Sequence, residues 1–254
     1  MRILVTDWGD LNQALSIARK YQVGLELLEF ALPENLDSGR FNAEEVRLEV
    51  RDLPLLGFHG PFSELVPASR DSMVRQVTRA RFQQGYAFAQ MIGAQHLILH
   101  SGFIPKTYPR DIWIQNSLGF WADFLADKPV HNLIHMENVY EDDFTILREL
   151  VDKVNQSFGD ERLSICLDIG HVNANSSRTL ANWIIGLGDR IRYTHIHNNE
   201  GILDDHWRLD RGKINVEETL NLLIHYAPNA LWTIETDVDD LEPSLLWLQD
   251  RGYL

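Results

Sequence analysis

Residues 190–207 read RIRYTHIHNNEGILDDHW. The first part is a short strand: Ile191, Tyr193, His195 and His197 share one parity, and side chains on one face of a strand recur at every second residue. Asn198-Asn199-Glu200-Gly201 then ends it with turn-forming residues. His195, His197, Asp204, Asp205 and His206 crowd into the same stretch. Imidazole nitrogens and carboxylate oxygens are the donors that borderline divalent metals such as zinc take. Surface loops often carry Asn, Asp and His, so the cluster has meaning only if other strands end in the same way.

Outward from this stretch, short β-rich runs alternate with longer amphipathic ones. Strands are expected at Ile3–Thr6, Val23–Phe30, Leu55–His59, Gln95–His100, Asn132–Glu137, Leu163–Asp168, Ile191–His197 and Leu231–Glu235. Helices are expected at Leu11–Tyr21, Asn42–Arg51, Ser69–Ile92, Arg110–Ala126, Asp142–Phe158, Ser177–Leu187, Asn215–His225 and Leu241–Gln249. Val74, Val77, Ala80, Gln84 and Phe88 show the helical spacing of the third, and Asn215 is a suitable cap for the seventh. Strict alternation of strand and helix argues for parallel pairing with right-handed crossovers. Eight such units in 254 residues predict one α/β domain over 1–254, a closed (β/α)8 barrel with a parallel eight-stranded sheet; such barrels take roughly 250 residues.

Composition narrows the class. The hydrophobic fraction is 44% and the charged fraction 24%, an ordinary globular balance. No apolar run approaches the roughly 20 residues of a membrane span, and MRILVTDWGD reads as a first strand rather than a secretory leader. The single cysteine, Cys166, cannot form an internal disulfide, which makes a cytoplasmic location the expectation. The formal net charge of −14 argues against nucleic acid as a partner, because that binding neutralises phosphates with Lys and Arg.

In a barrel of this kind the C-terminal strand ends carry the active site. Strand three ends at His59 in FHGPF, strand four at His100 in LILHSGF, and strand five at Glu137 in IHMENVY. Strand six ends at Asp168, with His171 behind it in CLDIGHVN; strand seven supplies His195, and its loop Asp204 and His206; strand eight ends at Glu235 in WTIETD. Six successive strands thus finish on a candidate ligand. Gly60, Gly102 and Gly170 follow ligand positions, where the chain is expected to turn sharply. Asp168 and His171 lie three apart across an Ile-Gly turn, so both can face one centre. His197 is an alternative to His195 as the strand-seven ligand, or a residue lining the pocket. Neutral imidazoles mixed with carboxylates suit zinc, manganese, cobalt or iron better than calcium.

The HGPF, ENV, CLDIGHxN, HIHNN…DDH and IETD segments, in this order, resemble the xylose isomerase-like TIM barrel superfamily, which also holds endonuclease IV. The similarity covers essentially the whole chain. It implies that His59, His100, Glu137, Asp168, His171, His195, Asp204, His206 and Glu235 match the nine ligand positions of a trinuclear zinc site. The isomerase and epimerase branches keep a smaller set, matching Glu137, Asp168, His195 and Glu235, around one divalent metal. One to three ions are therefore expected, with zinc first.

The resemblance carries two functions. In the epimerase-like one, Glu137 and Glu235 are the catalytic pair that exchange a proton on a sugar or sugar phosphate, helped by the metal. The similar epimerases carry an Arg shortly after the seventh-strand His, where Gly201 stands here. In the endonuclease IV-like one, several metals activate water against a phosphoester. Loops expected to face a duplex, PENLDSGR and PFSELVPASRD, mix acids with bases, and Phe62 is flanked by Ser63 and Glu64 rather than a basic track. The sugar isomerase/epimerase is preferred on that ground; a metal-binding barrel without catalysis is the third class.

Arg208, Arg211 and Trp8 are candidate substrate-binding residues, the arginines as a phosphate clamp together with Lys213. Trp8, Trp113, Trp207 and Trp232 suit either a sugar-facing cleft or core packing. His96, His131, His135 and His225 are read as structural, and Cys166 as a small core residue. Pairing into a homo-oligomer is compatible with the sequence but no patch marks an interface.

Overall fold

A computed structural model of the chain describes residues 2–39, 41–129 and 133–254. His131 and Asn132, read above as near or at the start of the fifth strand, lie outside the described residues. The strands are β1 (Ile3–Thr6), β2 (Gly24–Leu27), β3 (Leu56–His59), β4 (His96–His100), β5 (Leu133–Glu137), β6 (Ser164–Asp168), β7 (Ile191–Ile196) and β8 (Leu231–Ile234). They form a closed barrel in chain order, every neighbouring pair parallel, with β8 closing on β1. The predicted (β/α)8 architecture is therefore the one observed.

The helices are α1 (Leu11–Tyr21), α2 (Pro33–Asp37), α3 (Ala43–Val50), α4 (Ser72–Ile92), α5 (Arg110–Leu125), α6 (Thr145–Phe158), α7 (Ile169–Asn175), α8 (Leu180–Leu187), α9 (Val216–Tyr226) and α10 (Val238–Asp250). Several start where a side-chain oxygen takes an otherwise unpaired backbone N–H. Asp10 accepts from Gln13, Asp71 from Met73, and Asn215 from Glu218. The helix expected from Ser69 begins at Ser72 for that reason. The segment PENLDSGR, expected as a loop, holds α2, started by Pro33 in the first turn, where a missing N–H is harmless. The Ile-Gly turn expected after Asp168 is instead the start of α7, with Asp168 as its cap.

Strand alternation decides what faces where. One parity, including Val5, Leu25, Leu27, Phe58, Leu97, Leu99, Ile134, Met136, Ile165, Leu167, Ile196 and Ile234, belongs to the large core between barrel and helices. Helix stripes such as Ala14, Leu15, Ile17 and Ala18 of α1, or Ile146, Leu147, Leu150, Val151 and Val154 of α6, complete that layer. Burying each large aliphatic side chain contributes roughly 1.5–3 kcal/mol. The other parity fills the barrel. Its apolar part is a small plug of Leu4, Ile98, Cys166 and Tyr193, which accounts for Cys166. Above and around the plug the interior is polar, with Glu26, His59, His135, Glu137, Asp168, His195 and Thr233 all buried. Among the described residues no helix is long and apolar enough to cross a membrane.

Candidate metal centre

The C-terminal mouth of the barrel holds a cavity of about 400 Å³. His59, His100, Glu137, His171, Asp204, His206 and Glu235 line it on one side; Trp8, Leu28, Leu32, Phe62, Val139 and Tyr140 give it apolar walls. Asp168 and His195 sit beneath, fully buried. All nine sequence-predicted ligand positions therefore meet at one place.

Their donor atoms fall into three sets. In the first, Glu137 Oε2 is 3.1 Å from His59 Nε2 and 3.3 Å from His100 Nε2. In the second, His195 Nδ1 is 3.1 Å from Glu137 Oε1, 3.1 Å from Glu235 Oε2 and 3.7 Å from Asp168 Oδ2. In the third, Asp204 Oδ2 is 3.0 Å from His171 Nε2 and 2.8 Å from His206 Nε2. Glu137 spans the first two sets with its two oxygens.

Local structure aims these groups. His59 Nδ1 donates to the Gly60 carbonyl at 2.9 Å, His171 Nδ1 to the Asn138 carbonyl at 2.8 Å, and His206 Nδ1 to the Glu235 carbonyl at 3.0 Å. Each of these bonds fixes the tautomer, leaving the other ring nitrogen as the one that can bind a cation. Asp168 accepts the His171 backbone N–H at 2.6 Å, so the cap of α7 also sets the Asp168–His171 pair. The loop after β7 is stapled by Asn198. Its backbone exchanges two 2.9 Å bonds with Trp207, and its side chain reaches the Leu209 and Ile214 carbonyls at 3.1 Å and the Ile214 N–H at 2.9 Å. That bend returns Asp204 and His206 over the barrel, with His206 at φ 50°, a left-handed backbone rarely adopted without glycine.

The glycines after the candidate ligands matter for different reasons. Gly102 has φ +65° and makes the expected sharp turn. Gly170 lies inside α7; a Cβ there would meet His197 Cε1 at 1.9 Å, so it is a glycine to make room for an imidazole. Gly60 likewise lies against Leu99.

Electrostatics make the cluster one unit. Burial opposes charge on His195, but Cys166, Glu235, Glu26 and Glu137 push its pKa well above the usual value. Burial is likewise outweighed at His171, by Asp168, Asp204 and Glu137, and at His206, raised to about 9 by Glu235, Asp204 and Asp168. Glu137 is held well below the carboxylate range against its burial by His195 and His100. Glu235 is pushed up by burial, and its Oε2 has no hydrogen bond despite standing 3.1 Å from His195 Nδ1.

This donor set fits a divalent transition metal. Tetrahedral bonds of about 2.0–2.1 Å place ligand atoms about 3.3 Å apart, close to the 3.1–3.7 Å separations around His195 Nδ1. An orphaned Glu235 oxygen in the same place is what a cation would satisfy.

Other predicted residues divide. Trp8 lines the cavity and packs on His206, ring centroids 4.5 Å apart. Arg208 and Arg211 do not line it: Arg208 pairs with Asp210, and Arg211 lies over Trp207. Trp113 and Trp232 are core residues. Phe62 stacks on His100, ring centroids 4.4 Å apart. His197 is buried, stacked on His206 at 3.9 Å, with Nε2 3.2 Å from Asp168 Oδ2 and Nδ1 without a partner. His96 and His135 pair at 3.0 Å near the barrel floor, and His135 meets Ser164 Oγ at 2.6 Å.

Two acids escaped sequence reasoning. Glu26 faces His195 from β2 with Nε2 at 3.1 and 3.2 Å; burial raises its pKa, but His195, His59 and Tyr193 bring it below the usual value. Asp7 lines the cavity at the end of β1. Its Oδ1 accepts the Leu28 and Glu29 N–H groups at 2.6 and 3.2 Å, its Oδ2 has no partner, and burial raises its pKa to about 7. The one available signal was their position: both obey the inward parity or the strand-end rule.

A family profile described as xylose isomerase-like TIM barrel matches residues 11–254. Uncharacterized protein MJ1311 of Methanocaldococcus jannaschii is 26% identical over 184 residues, 70% of this chain but 62% of that protein, so the match spans less than two thirds of the relative. The structure of the TTHB071 protein from Thermus thermophilus, soaked with ZnCl2, superposes with TM-score 0.77 at 22% identity, covering 99% of this chain and 98% of that one. A D-psicose 3-epimerase structure determined in the presence of D-fructose superposes with TM-score 0.77 at 12% identity, covering all of both chains. These structural likenesses are likenesses of fold. The profile match, over nearly the entire sequence, shows that this chain belongs to the xylose isomerase-like TIM barrel family.

Proposed function

We propose that the chain is a metal-dependent isomerase/epimerase of a small, unphosphorylated sugar. One observation carries this: the cavity over Glu137 and Glu235 has about 400 Å³ and, among the described residues, no Lys or Arg in its lining. That volume lies within the range for small-molecule sites. A phosphate would find no Lys or Arg to clamp it there, whereas a sugar would find carboxylates, imidazoles and the Trp8 face. The zinc-soaked structure is in keeping with a metal site of this kind, and the epimerase neighbour with this class.

Glu137, Asp168, His195 and Glu235 would hold the central ion, which supplies Lewis acidity and so makes a C–H beside a carbonyl acidic. Glu137 or Glu235 takes that proton as the C–H pair shifts toward the carbonyl. The other carboxyl returns a proton to the opposite face of that carbon, inverting it; alternatively the former carbonyl carbon takes the proton while the adjacent hydroxyl gives its proton to the former carbonyl oxygen, moving the carbonyl. Trp8 and the apolar wall of Leu28 and Leu32 position the sugar and thin the water around the reacting carbon.

The several clusters of donor atoms, with Glu137 spanning two of them, favour a second reading: a multinuclear phosphoester hydrolase. Incubating the metal-loaded protein with unphosphorylated ketoses and aldoses in deuterated water separates the two. Carbon-bound deuterium is expected, and Glu137→Gln and Glu235→Gln are each expected to lose it by about 10²-fold or more while keeping a native circular dichroism spectrum. Cleavage of a phosphoester with no deuterium entering any sugar would replace the first reading by the second.

A further inference from the structure

The structure assigns Glu26 a role that nothing at the cavity surface displays: we infer that it is the positioning residue for the central donor set, holding the His195 ring from below. The inference rests on the reading of His195 as a ligand of that set. Glu26 lies on β2, fully buried, and does not line the cavity. It therefore cannot touch a substrate. A carboxylate in such a place is costly unless it is paired, and its partners are specific. The Tyr193 hydroxyl donates to Glu26 Oε2 at 2.7 Å, and His195 Nε2 stands 3.1 and 3.2 Å from the two carboxylate oxygens.

The opposite ring nitrogen, His195 Nδ1, is the atom on which Glu137, Glu235 and Asp168 converge. An imidazole that gives one N–H to a carboxylate keeps its lone pair on the other nitrogen, its ring plane fixed and its basicity raised. Glu26 thus does at Nε2 what backbone carbonyls do for His59, His171 and His206 at Nδ1, with a full charge in place of a dipole. That distinguishes the central set from the outer two.

The arrangement is built from a layer lower still. At position 57 of β3, a Cβ would lie 2.4 Å from the Tyr193 hydroxyl oxygen and 3.2 Å from Glu26 Cβ and Cγ. Any other residue would push Tyr193 off Glu26. Gly57, Tyr193, Glu26 and His195 come from β3, β7 and β2, and act as a stack beneath the ligands.

The test is zinc titration of the metal-free chain in competition with a colorimetric chelator, on His195→Ala, Glu26→Gln, Glu26→Ala and Tyr193→Phe. Cobalt-loaded samples give a visible spectrum as a second readout. Glu26→Ala is expected to weaken one zinc site by about 10–100-fold and shift its cobalt bands. Glu26→Gln, which keeps an acceptor but no charge, should fall between it and the parent. Tyr193→Phe, which leaves the carboxylate and removes its donor, should move both readouts the same way if the Glu26 variants do not fold. His195→Ala losing that site while the Glu26 and Tyr193 variants bind and absorb like the parent would overturn the role of Glu26. His195→Ala binding zinc as the parent does would overturn the ligand reading itself.

Discussion

At the scale of single residues, Asp7 shows how a buried acid ties stability to pH. Its carboxyl, ordinarily near 3.8, is raised to about 7, burial outweighing the Leu28 and Glu29 N–H groups. A raised acid binds a proton in the folded chain that the unfolded chain has already released. Its contribution is therefore fully present below 3.8 and is lost as pH rises through about 7. The shift corresponds to about 4 kcal/mol at most. Asp7→Asn removes the proton exchange, so the parent should lose stability relative to the variant between pH 4 and 7 by up to about that amount. Urea unfolding of both at several pH values measures it. Parallel curves across that window would show that Asp7 is not held protonated. Nothing in TDWGD announces this, because the two backbone groups that Asp7 accepts from, Leu28 and Glu29 just after β2, lie some twenty residues on.

At the scale of elements, what was legible was periodicity and what was not was direction. Eight alternating units and six candidate ligands at strand ends could be read because strands expose their parity locally. Glu26 sits in VGLELLEF, where an acid in a strand reads as solvent-facing; its partner His195 is 169 positions away. Charge alone marks Arg208 and Arg211 as a phosphate clamp, but the loop that delivers Asp204 and His206 turns those arginines toward Asp210 and Trp207. The loop itself gives the next prediction. Asn198 satisfies the Leu209 and Ile214 backbone in a buried place. Asn198→Ala leaves those groups unpaired, at about 1–3 kcal/mol each, and frees the segment bearing Asp204 and His206. Chemical unfolding should show the loss. A variant as stable as the parent would mean that the loop is held by other contacts.

At the scale of the whole molecule, the charge and the fold meet in one equilibrium. The chain carries a formal charge of −14, and Glu137, Asp168, Asp204 and Glu235 bring four of its acids to one mouth. In the metal-free chain the raised histidines supply the compensating charge. A divalent ion would take over that role and release their protons. The candidate donors lie on or just after β3 to β8, on α7 and on the loop after β7, so an ion binding them ties together elements that unfolding separates. Binding to the folded chain alone adds about 2.7 kcal/mol at a hundredfold excess over the dissociation constant. For a chain of this length each kcal/mol moves the midpoint by about 2–4 °C, hence about 5–10 °C for each filled set. Calorimetry with EDTA, with zinc and with magnesium as the hard-cation control should therefore show a stepwise rise with zinc alone, and proton release near neutral pH. The size of the rise reads the number of ions: one step supports proton exchange at the central set, and two or three support hydrolytic chemistry. A midpoint that saturating zinc leaves where EDTA put it would remove the metal, and with it both readings of the site.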